Sequence, residues 1–442
     1  MVSRRQVLAG SLTAASAVAL AACSPSGSGS GSSGSDGGDA LTLRIWDASV
    51  KEAYEESLAA FTAASGVDVT VDVVPWDSYW DKLPLDIASG DAADVFWLNS
   101  ASFTQFQQAG NLVNITEELG ADAQGSWEKA VVDLYTRDGS LWGIPQIWDS
   151  IALFYNKNLT DAAGVDPTSL AFDPAASTDT LRDAAAALTT DAEGRHPGDE
   201  GFDAASRTVF GFNSQADRQA IIGPFLASNG AQWQGTNDTY DFASEQGIAA
   251  FAYLAALVND QQVAPSAADT NTNGDFSRDL FIRGSLGLFQ SGPYNLKNVA
   301  DGVADSFEWG IAPMVAGRAG AKSLVHGVVA AGNAKSAKPK EQKQLLEWLG
   351  SKDGQLPLAT QGIAFPGHTD AQQEFVDYWS AKGVDVQQFI TAAEDPAPAD
   401  TGAKALAGLT AVMPIFQEIF AGNISAEEGV RKAQEEGNAA MA

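Results

Sequence analysis

The sequence predicts an α/β protein built as two lobes, and three observations support this prediction. The chain has 442 residues, whereas a single hydrophobic core rarely extends past about 250–300 residues. Its hydrophobic share of 45% is ordinary for a globular protein and sufficient for packed cores. From residue 41 onward, short apolar strand patterns alternate with helical patterns. That alternation is typical of mixed, mostly parallel sheets flanked by helices.

The elements follow from hydrophobic periodicity and from helix start and stop signals. In the first part we expect strand 41–46, helix 51–65 ending at Gly66, strand 67–74, helix 78–89 and strand 93–98. In the second part we expect strand 150–155, helices 180–188 and 247–258, strands 286–289 and 324–331, and helix 339–349. Ser425 and Glu428 have the spacing of a capping box, which predicts the start of the last helix.

The first 39 residues predict export and anchoring rather than fold. Residues 1–22 combine a basic start with an uncharged run of small and apolar residues, which is typical of an export signal of either the twin-arginine or the general secretory type. This run ends in a pattern that resembles a bacterial lipobox, and Cys23, the single cysteine, is the expected lipidation site. Residues 23–39 are rich in Gly and Ser and predict a flexible tether.

Composition excludes several classes of function. The formal net charge of -30 argues against nucleic acid as a partner, because phosphate binding needs clustered Lys and Arg. One cysteine permits no intramolecular disulfide, and three histidines leave little material for a metal centre. The segment 269–275 opens like a calcium loop, but Leu280 stands where such a loop needs a bidentate Glu. We therefore expect no metal and no cofactor.

Four groups of segments carry a resemblance to a known family. They are DVFWLN (94–99) with GNLVNIT (110–116), GIP (143–145) with ALFYNKNL (152–159), RGSLGL (283–288) with SGPY (291–294), and HGV (326–328) with KPKE (338–341) and FP (365–366). In this order and spacing they resemble the extracellular solute-binding proteins of ABC importers, specifically the maltose-binding-like family 1 of sugar-binding lipoproteins. The resemblance covers residues 41–442.

The resemblance implies a fold, a function and a place in the cell. The fold would be the two-lobed periplasmic-binding-protein-like fold of type II, with a ligand cleft between lobe 1 (40–149 plus 329–365) and lobe 2 (150–328 plus 366–442). The chain would be a monomeric receptor, not an enzyme, held at the extracellular face of the cytoplasmic membrane through Cys23. It would bind a neutral sugar or oligosaccharide and deliver it to the permease subunits of an ABC transporter.

Candidate ligand-binding residues come from aromatic and polar side chains where strands should end, because ligands of open α/β sheets bind beyond the carboxyl ends of strands. Aromatic walls with a few fixed polar groups are typical of small-molecule sites. In the first lobe, Trp46 and Trp97 could stack on a sugar ring or belong to the core. Asp47 and Asn99 could bind hydroxyl groups or cap helices. The candidates in this lobe are Trp46, Asp47, Trp97, Asn99, Trp148 and Asp149.

The resemblance implies roles for two further residues. Asp149 matches a position where the family often presents a sugar-binding carboxylate, and Tyr294 matches an aromatic residue, often Trp, that stacks on the sugar ring. Asp217 could bind hydroxyl groups or pair with Arg218, and Trp233 matches a loop near the cleft. His326 stands where the family has a glycine-rich turn, so its imidazole could reach the cleft or be buried. The second-lobe candidates are Asp217, Trp233, Tyr294 and His326.

Two alternatives stay open at the level of sequence. The same fold could bind a polyamine or another cationic solute, with Asp47, Asp149 and Asp217 supplying acids to an aromatic box. In a different class, a secreted polysaccharide-cleaving enzyme would need two carboxyl groups about 5–9 Å apart across a cleft.

Overall fold

The computed structural model describes residues 40–235 and 237–442. The export signal of residues 1–22, the lipidation site Cys23 and the tether to residue 39 lie outside the described residues. Within the described ranges, no helix is long and apolar enough to span a bilayer.

Thirteen strands occur in the described residues. They are β1 Leu41–Ile45, β2 Val69–Val73, β3 Val95–Asn99, β4 Thr136–Arg137, β5 Ser140–Leu141, β6 Ile144–Asp149, β7 Ala152–Asn156, β8 Thr190–Asp191, β9 Arg207–Phe212, β10 Leu286–Ser291, β11 Trp309–Ala312, β12 His326–Gly332 and β13 Phe365–Pro366.

Eighteen α-helices occur in the same residues. They are α1 Lys51–Ser65, α2 Trp76–Ser89, α3 Ser100–Gln108, α4 Ile115–Leu119, α5 Lys129–Tyr135, α6 Lys157–Ala163, α7 Thr180–Leu188, α8 Gly223–Ser228, α9 Glu245–Asn259, α10 Ala267–Thr270, α11 Phe276–Ile282, α12 Leu296–Val303, α13 Pro339–Leu349, α14 Lys352–Thr360, α15 Thr369–Ser380, α16 Gln387–Ala392, α17 Ala405–Phe420 and α18 Ala426–Met441.

The strands form two large sheets, one in each lobe. The first has the order β13-β6-β12-β3-β1-β2 and the second the order β11-β7-β10-β9-β8. Both sheets are mixed, as predicted, but the prediction that they are mostly parallel is wrong, because antiparallel pairs outnumber parallel pairs among the described strands. Among the described strands, parallel pairing is confined to β1 with its neighbours β2 and β3, and to β9 with β10. The other pairs of the two sheets are antiparallel, because strands such as β12 and β7 enter their sheets in the reverse direction.

Several local predictions are confirmed. Gly66 ends α1 in the left-handed conformation with φ 76°, which glycine adopts without a steric penalty. The Ser425 side chain accepts a hydrogen bond from the backbone N–H of Glu428 and caps α18. Helix α2 begins at Trp76, two residues earlier than predicted, because Pro75 occupies its N-cap position.

The core covers both faces of the second sheet. One buried cluster runs from the first sheet onto the face that carries Phe154 and Phe289. A second buried cluster packs on the opposite face, against Leu153 and Leu288. Because side chains alternate along a strand, neighbouring residues of β7 and β10 pack into different clusters, and both faces of these strands are apolar. Packing on both faces therefore holds β7 and β10 in place next to the edge where the lobes join.

Candidate functional site

The candidate site lies where the carboxyl edges of the two sheets meet. Strand β6 runs in the same direction as β1 and β3, because β12 lies antiparallel between β6 and β3. It therefore ends, at Asp149, on their carboxyl edge. Strand β7 begins at Ala152, on the edge where β9 and β10 end. The carboxyl ends of strands are where open α/β sheets bind ligands, so the side chains around this junction form the candidate site.

Asp149 has a neighbour on the adjacent strand and a hydrogen-bond partner in the second lobe. On β6 it lies directly opposite His326 of β12, and opposed residues of antiparallel strands present their side chains on the same face. From the segment that follows β9, Gln219 Nε2 donates a hydrogen bond to Asp149 Oδ1 at 2.6 Å. The other oxygen, Oδ2, makes no hydrogen bond with any residue that the structure describes, so it is free to meet a ligand.

Burial shifts both groups of this cross-strand pair toward their neutral forms. It raises the pKa of Asp149 to about 8, although the hydrogen bond from Gln219 acts in the opposite direction. Burial also lowers the pKa of His326 to about 4, with Asp400 opposing this shift and Arg218 adding to it. A neutral carboxyl and a neutral imidazole can each donate and accept a hydrogen bond. The pair is therefore suited to a solute with hydroxyl groups.

Tyr294 presents a ring from the second lobe. It follows β10 in a short 3₁₀ helix, Pro293–Asn295, and 44% of the residue is exposed. The ring folds back over Gly292, where a Cβ atom would lie 2.2 Å from the ring. Desolvation raises the pKa of the Tyr294 phenol, and the charges of Asp217 and Asp149 raise it further.

Asp217 positions Gln219. It is the N-cap of a short π-helix, Arg218–Ile222, and its Oδ1 accepts the backbone N–H groups of Gln219 and Ala220, each at 2.8 Å. Burial raises the pKa of Asp217, and these two N–H groups oppose the shift. The cap fixes the first turn of the helix, from which Gln219 reaches Asp149.

Arg218 pairs with Asp400 rather than with Asp217. Its Nη2 lies 3.0 Å from Asp400 Oδ1, and its Cζ lies 3.8 Å from the ring centroid of Trp233. Trp233 is buried and stacks on Phe242 at a centroid distance of 4.8 Å. Trp233 therefore supports the Arg218 guanidinium from the core side, and its ring is not presented to solvent.

Asp47 and Asn99 cap helices at the edge of the first sheet. Asp47 Oδ1 accepts the N–H of Ser49 at 2.8 Å, and Asn99 Oδ1 accepts the N–H of Ser102 at 2.9 Å. Within residues 40–235 and 237–442, neither side chain makes another hydrogen bond. Each retains one polar atom for a ligand, so the capping and binding roles are compatible.

The three tryptophans predicted in the first lobe differ in exposure. Trp46 is half-buried, whereas Trp97 and Trp148 are 0% and 2% exposed. Trp148 packs on Phe365 at a centroid distance of 5.0 Å, because alternation along β6 turns it to the face opposite Asp149. In this structure Trp97 and Trp148 belong to the core, and stacking on a ligand would require their rings to move.

Some residues of the site are absent from the sequence prediction. Gln219 and Asp400 carry no local signal, since their partners are distant in the chain. Trp76 and Trp80 contact Trp46 and each other, with centroid distances of 5.2–5.4 Å. Their spacing of four residues, directly after β2, is a signal that could have found them.

In the described part of the chain, no group of three His, Cys, Asp or Glu is placed to hold a metal ion.

The fold and the junction together define a class of protein. Two α/β lobes meet at an edge that carries a carboxyl, an imidazole, a phenol and tryptophan rings, which is the chemistry of a small-molecule binding site. We therefore describe the chain as a two-lobed solute-binding protein.

The chain belongs to the family of bacterial extracellular solute-binding proteins, whose profile matches residues 47–356. The crystal structure of UspC from M. tuberculosis is 41% identical, and the match covers 91% of this chain and 100% of that one with a TM-score of 0.77. An ABC substrate-binding protein from Listeria monocytogenes, in complex with cycloalternan, has a TM-score of 0.77 at 20% identity and covers 91% and 98% of the two chains. The maltodextrin-binding protein MdxE of Bacillus subtilis is 31% identical over 133 residues, or 29% of this chain and 30% of that protein.

These similarities confirm the sequence prediction of a family 1, maltose-binding-like member with the two-lobed periplasmic-binding-protein-like fold. The family consists of extracellular binding proteins rather than enzymes, and its members work with ABC transporters in solute import.

Proposed function

We propose that this protein captures a neutral sugar or oligosaccharide in the cleft between its lobes and delivers it, unchanged, to the permease of an ABC transporter. The proposal rests above all on one observation. Gln219 and Asp149 join the two lobes through one hydrogen bond of 2.6 Å, and the remaining carboxyl oxygen, the His326 imidazole and the exposed Tyr294 ring surround the same junction. A solute bound here contacts both lobes, and such contacts favour a closed conformation.

The lobe boundaries that we propose are those suggested by the family, with lobe 1 at 40–149 plus 329–365 and lobe 2 at 150–328 plus 366–442. The candidate ligand-contacting groups are those that combine a position at the junction with a free polar atom or an exposed ring. They are Asp47, Asn99, Asp149, Gln219, Tyr294 and His326.

A cationic solute such as a polyamine is the second candidate, because Asp149 and Asp217 both lie near the Tyr294 ring. The electrostatics favour the neutral sugar. Burial raises the pKa of both carboxyl groups, so the site disfavours the anionic forms that a cation needs.

Binding should be tested on a fragment of residues 40–442, with tryptophan fluorescence and thermal melting against mono-, di- and oligosaccharides and spermidine. A sugar that binds only the native state should add about 2.7 kcal/mol of stability at 100-fold its dissociation constant. We expect a saturable response to at least one neutral sugar, which is recovered unchanged by chromatography.

Other outcomes have definite meanings. A response to spermidine alone would replace the sugar with a cationic ligand, and release of cleavage products from a glycan would replace the receptor with an enzyme. If no sugar in the panel produced a response, the neutral-sugar proposal would be abandoned, although the family and the fold would stand.

We also propose that the chain is anchored at the extracellular face of the cytoplasmic membrane through a lipid on Cys23, and that it works there as a monomer. The support is sequence-based: the single cysteine of the chain follows an apolar run and precedes a Gly/Ser-rich segment. Stable anchoring of the receptor would keep captured solute close to the permease.

Replacement of Cys23 with serine should release the protein from the membrane. In a bacterial host that processes lipoproteins, we expect the unaltered chain in the membrane fraction and the Cys23→Ser chain in the soluble extracytoplasmic or secreted fraction. Ser24→Ala, one residue further on, is the control and should stay with the membrane. Retention of the Cys23→Ser chain in the membrane fraction would contradict lipid anchoring through this residue.

A further inference from the structure

Strand β11 forms one edge of the second sheet and has a neighbour on one side only. It pairs with β7, and no other described strand lies beside it. The Lys157 N–H donates a hydrogen bond to the Glu308 carbonyl oxygen at 2.8 Å. Backbone groups of an antiparallel strand point alternately to its two sides. Gly310 therefore bonds to β7, whereas the N–H and C=O groups of Trp309 and Ile311 point away from it.

These outward backbone groups are without a partner in the part of the chain that the structure describes. No backbone or side-chain atom there bonds to the outer side of Trp309 or Ile311. Ile311 is only 7% exposed, and buried backbone groups of native proteins are nearly always paired. An unpaired edge is a template on which another chain can form a further strand.

A groove with a volume of about 1090 Å³ runs along this edge. Residues 304–311, which include most of β11, line it together with residues 382–385. Trp379 lines it as well, and its Nε1 is buried with no hydrogen-bond partner within residues 40–235 and 237–442. Sites for small molecules commonly measure about 300–1,000 Å³. The size of the groove and its strand edge therefore favour an extended segment over a compact solute.

The groove lies apart from the candidate sugar site. Strand β7 begins at Ala152 beside the junction and ends at Asn156, which pairs with Trp309. Four steps of about 3.3 Å place the start of β11 roughly 13 Å from the junction, at the opposite edge of the sheet. None of the candidate ligand-contacting groups lines the groove. A segment bound there leaves the sugar site accessible.

Charge indicates which kind of segment the groove fits. Asp305 and Glu308 are exposed in its lining, and neither forms an ion pair with a residue that the structure describes. Of the two lysines in the lining, Lys157 is already paired with Asp161, and Lys382 lies over an aromatic ring. The two free carboxylates match a basic segment. The net charge of -30 also attracts such a segment and repels a second copy of the chain.

We propose that β11 binds an extended, basic segment of a partner protein as an added strand. The backbone groups of Trp309 and Ile311 hold the main chain of this segment, as in other cases of strand addition. Its Lys or Arg side chains pair with Asp305 and Glu308. This site is separate from the sugar site, so the inference goes beyond the proposed function and does not depend on it.

The binding test uses the 40–442 fragment and a fluorescently labelled peptide, acetyl-Lys-Val-Lys-Val-Lys-Val-Lys-amide, followed by anisotropy. We expect saturable binding that falls about tenfold or more in the double variant Asp305→Lys, Glu308→Lys, because attraction becomes repulsion. The control variant Asp91→Lys, Glu347→Lys makes the same change of charge at exposed acids of the first lobe. It should stay within about twofold of the parent, because solvent and salt screen distant charges.

Amide hydrogen exchange distinguishes an added strand from attraction by charge alone. With the peptide at saturation, the amides of Trp309 and Ile311 should exchange at least about tenfold more slowly, because exchange reports on hydrogen bonding. The Gly310 amide, which already faces β7, is the internal control and should change little. Binding of the peptide without slower exchange at Trp309 and Ile311 would overturn the added strand.

The remaining outcomes also decide the matter. Failure of the peptide to bind, or equal loss of binding in both double variants, would overturn the proposed site. If the fragment alone formed a dimer with these edge amides protected, the occupant would be a second copy and the basic partner would be excluded. Sugar affinity measured with and without peptide should be the same. It reports on the proposed function separately, since each site can fail while the other binds.

Discussion

Replacement of Asp149 with alanine should weaken sugar binding by about 30-fold or more. Asp149 is the group that Gln219 contacts from the second lobe and that His326 opposes on the neighbouring strand. Leaving the hydrogen-bonding groups of a buried site without their partner costs about 1–3 kcal/mol, and 2 kcal/mol corresponds to about a 30-fold change in dissociation constant. Titration calorimetry with the sugar identified in the panel measures this change directly.

The pH dependence of stability gives an independent measure of Asp149. Its pKa in the folded protein, about 8, lies above that of an unfolded aspartate, so the folded state retains a proton that the unfolded state has lost. Stability then falls as pH rises from about 4 to 8. His326, with a folded pKa of about 4, acts in the opposite direction below about pH 6.5, its usual value. His326 therefore does not oppose Asp149 between pH 6.5 and 8, and Asp217, whose pKa burial also raises, acts in the same direction as Asp149.

In that window the unaltered fragment should lose up to about 1.4 kcal/mol of unfolding free energy per pH unit through this group. Asp149→Asn should remove that part of the slope, because asparagine does not titrate. Asp301→Asn, which makes the same side-chain replacement at an exposed acid paired with Lys297, should leave both the affinity and the slope unaltered. An Asp149→Ala variant that bound sugar as well as the parent would exclude this residue from the ligand contacts.

The fold was predictable from the sequence because each strand and helix is marked by a pattern within its own segment. Alternating and helical periodicities mark the strands and helices, and signals such as Gly66 and the Ser425 capping box mark their ends. Asp149 was selected as a candidate because it stands where a strand was expected to end. The roles of the tryptophans could not be separated in this way. In β3 the first four residues are all buried, so alternation gives no contrast between Trp97 and its neighbours.

The long-range contacts of the site were beyond the reach of sequence reasoning. Gln219 lies 70 residues from Asp149, and Arg218 lies 182 residues from Asp400. No periodicity connects such positions, because their proximity is created by the crossing strands and not by either segment alone. Trp76 and Trp80 are different, since their spacing and their place after β2 could have marked an aromatic surface beside a predicted strand end.

Replacement of Arg44 with methionine should lower the free energy of unfolding by about 2–3 kcal/mol. The guanidinium is 8% exposed and contacts Asp72 Oδ2 at 2.7 Å and Asp86 Oδ2 at 2.5 Å. Methionine fills similar space but leaves two carboxylates without their cation. Breaking a fully buried pair from one side costs about 3–5 kcal/mol, and the cost is smaller here because solvent screens the Asp72 side chain, which is 38% exposed. Urea unfolding of the 40–442 fragment, followed by tryptophan fluorescence, measures the change.

The cost should come from the unpaired carboxylates and not from the missing arginine itself. A triple variant, Arg44→Met with Asp72→Asn and Asp86→Asn, carries no uncompensated charge and should recover most of the lost stability. The same arginine holds α2 against the sheet through Asp86. A single variant within 1 kcal/mol of the parent would show that the two aspartates find other compensation, and that α2 is held mainly by the Tyr79 contact.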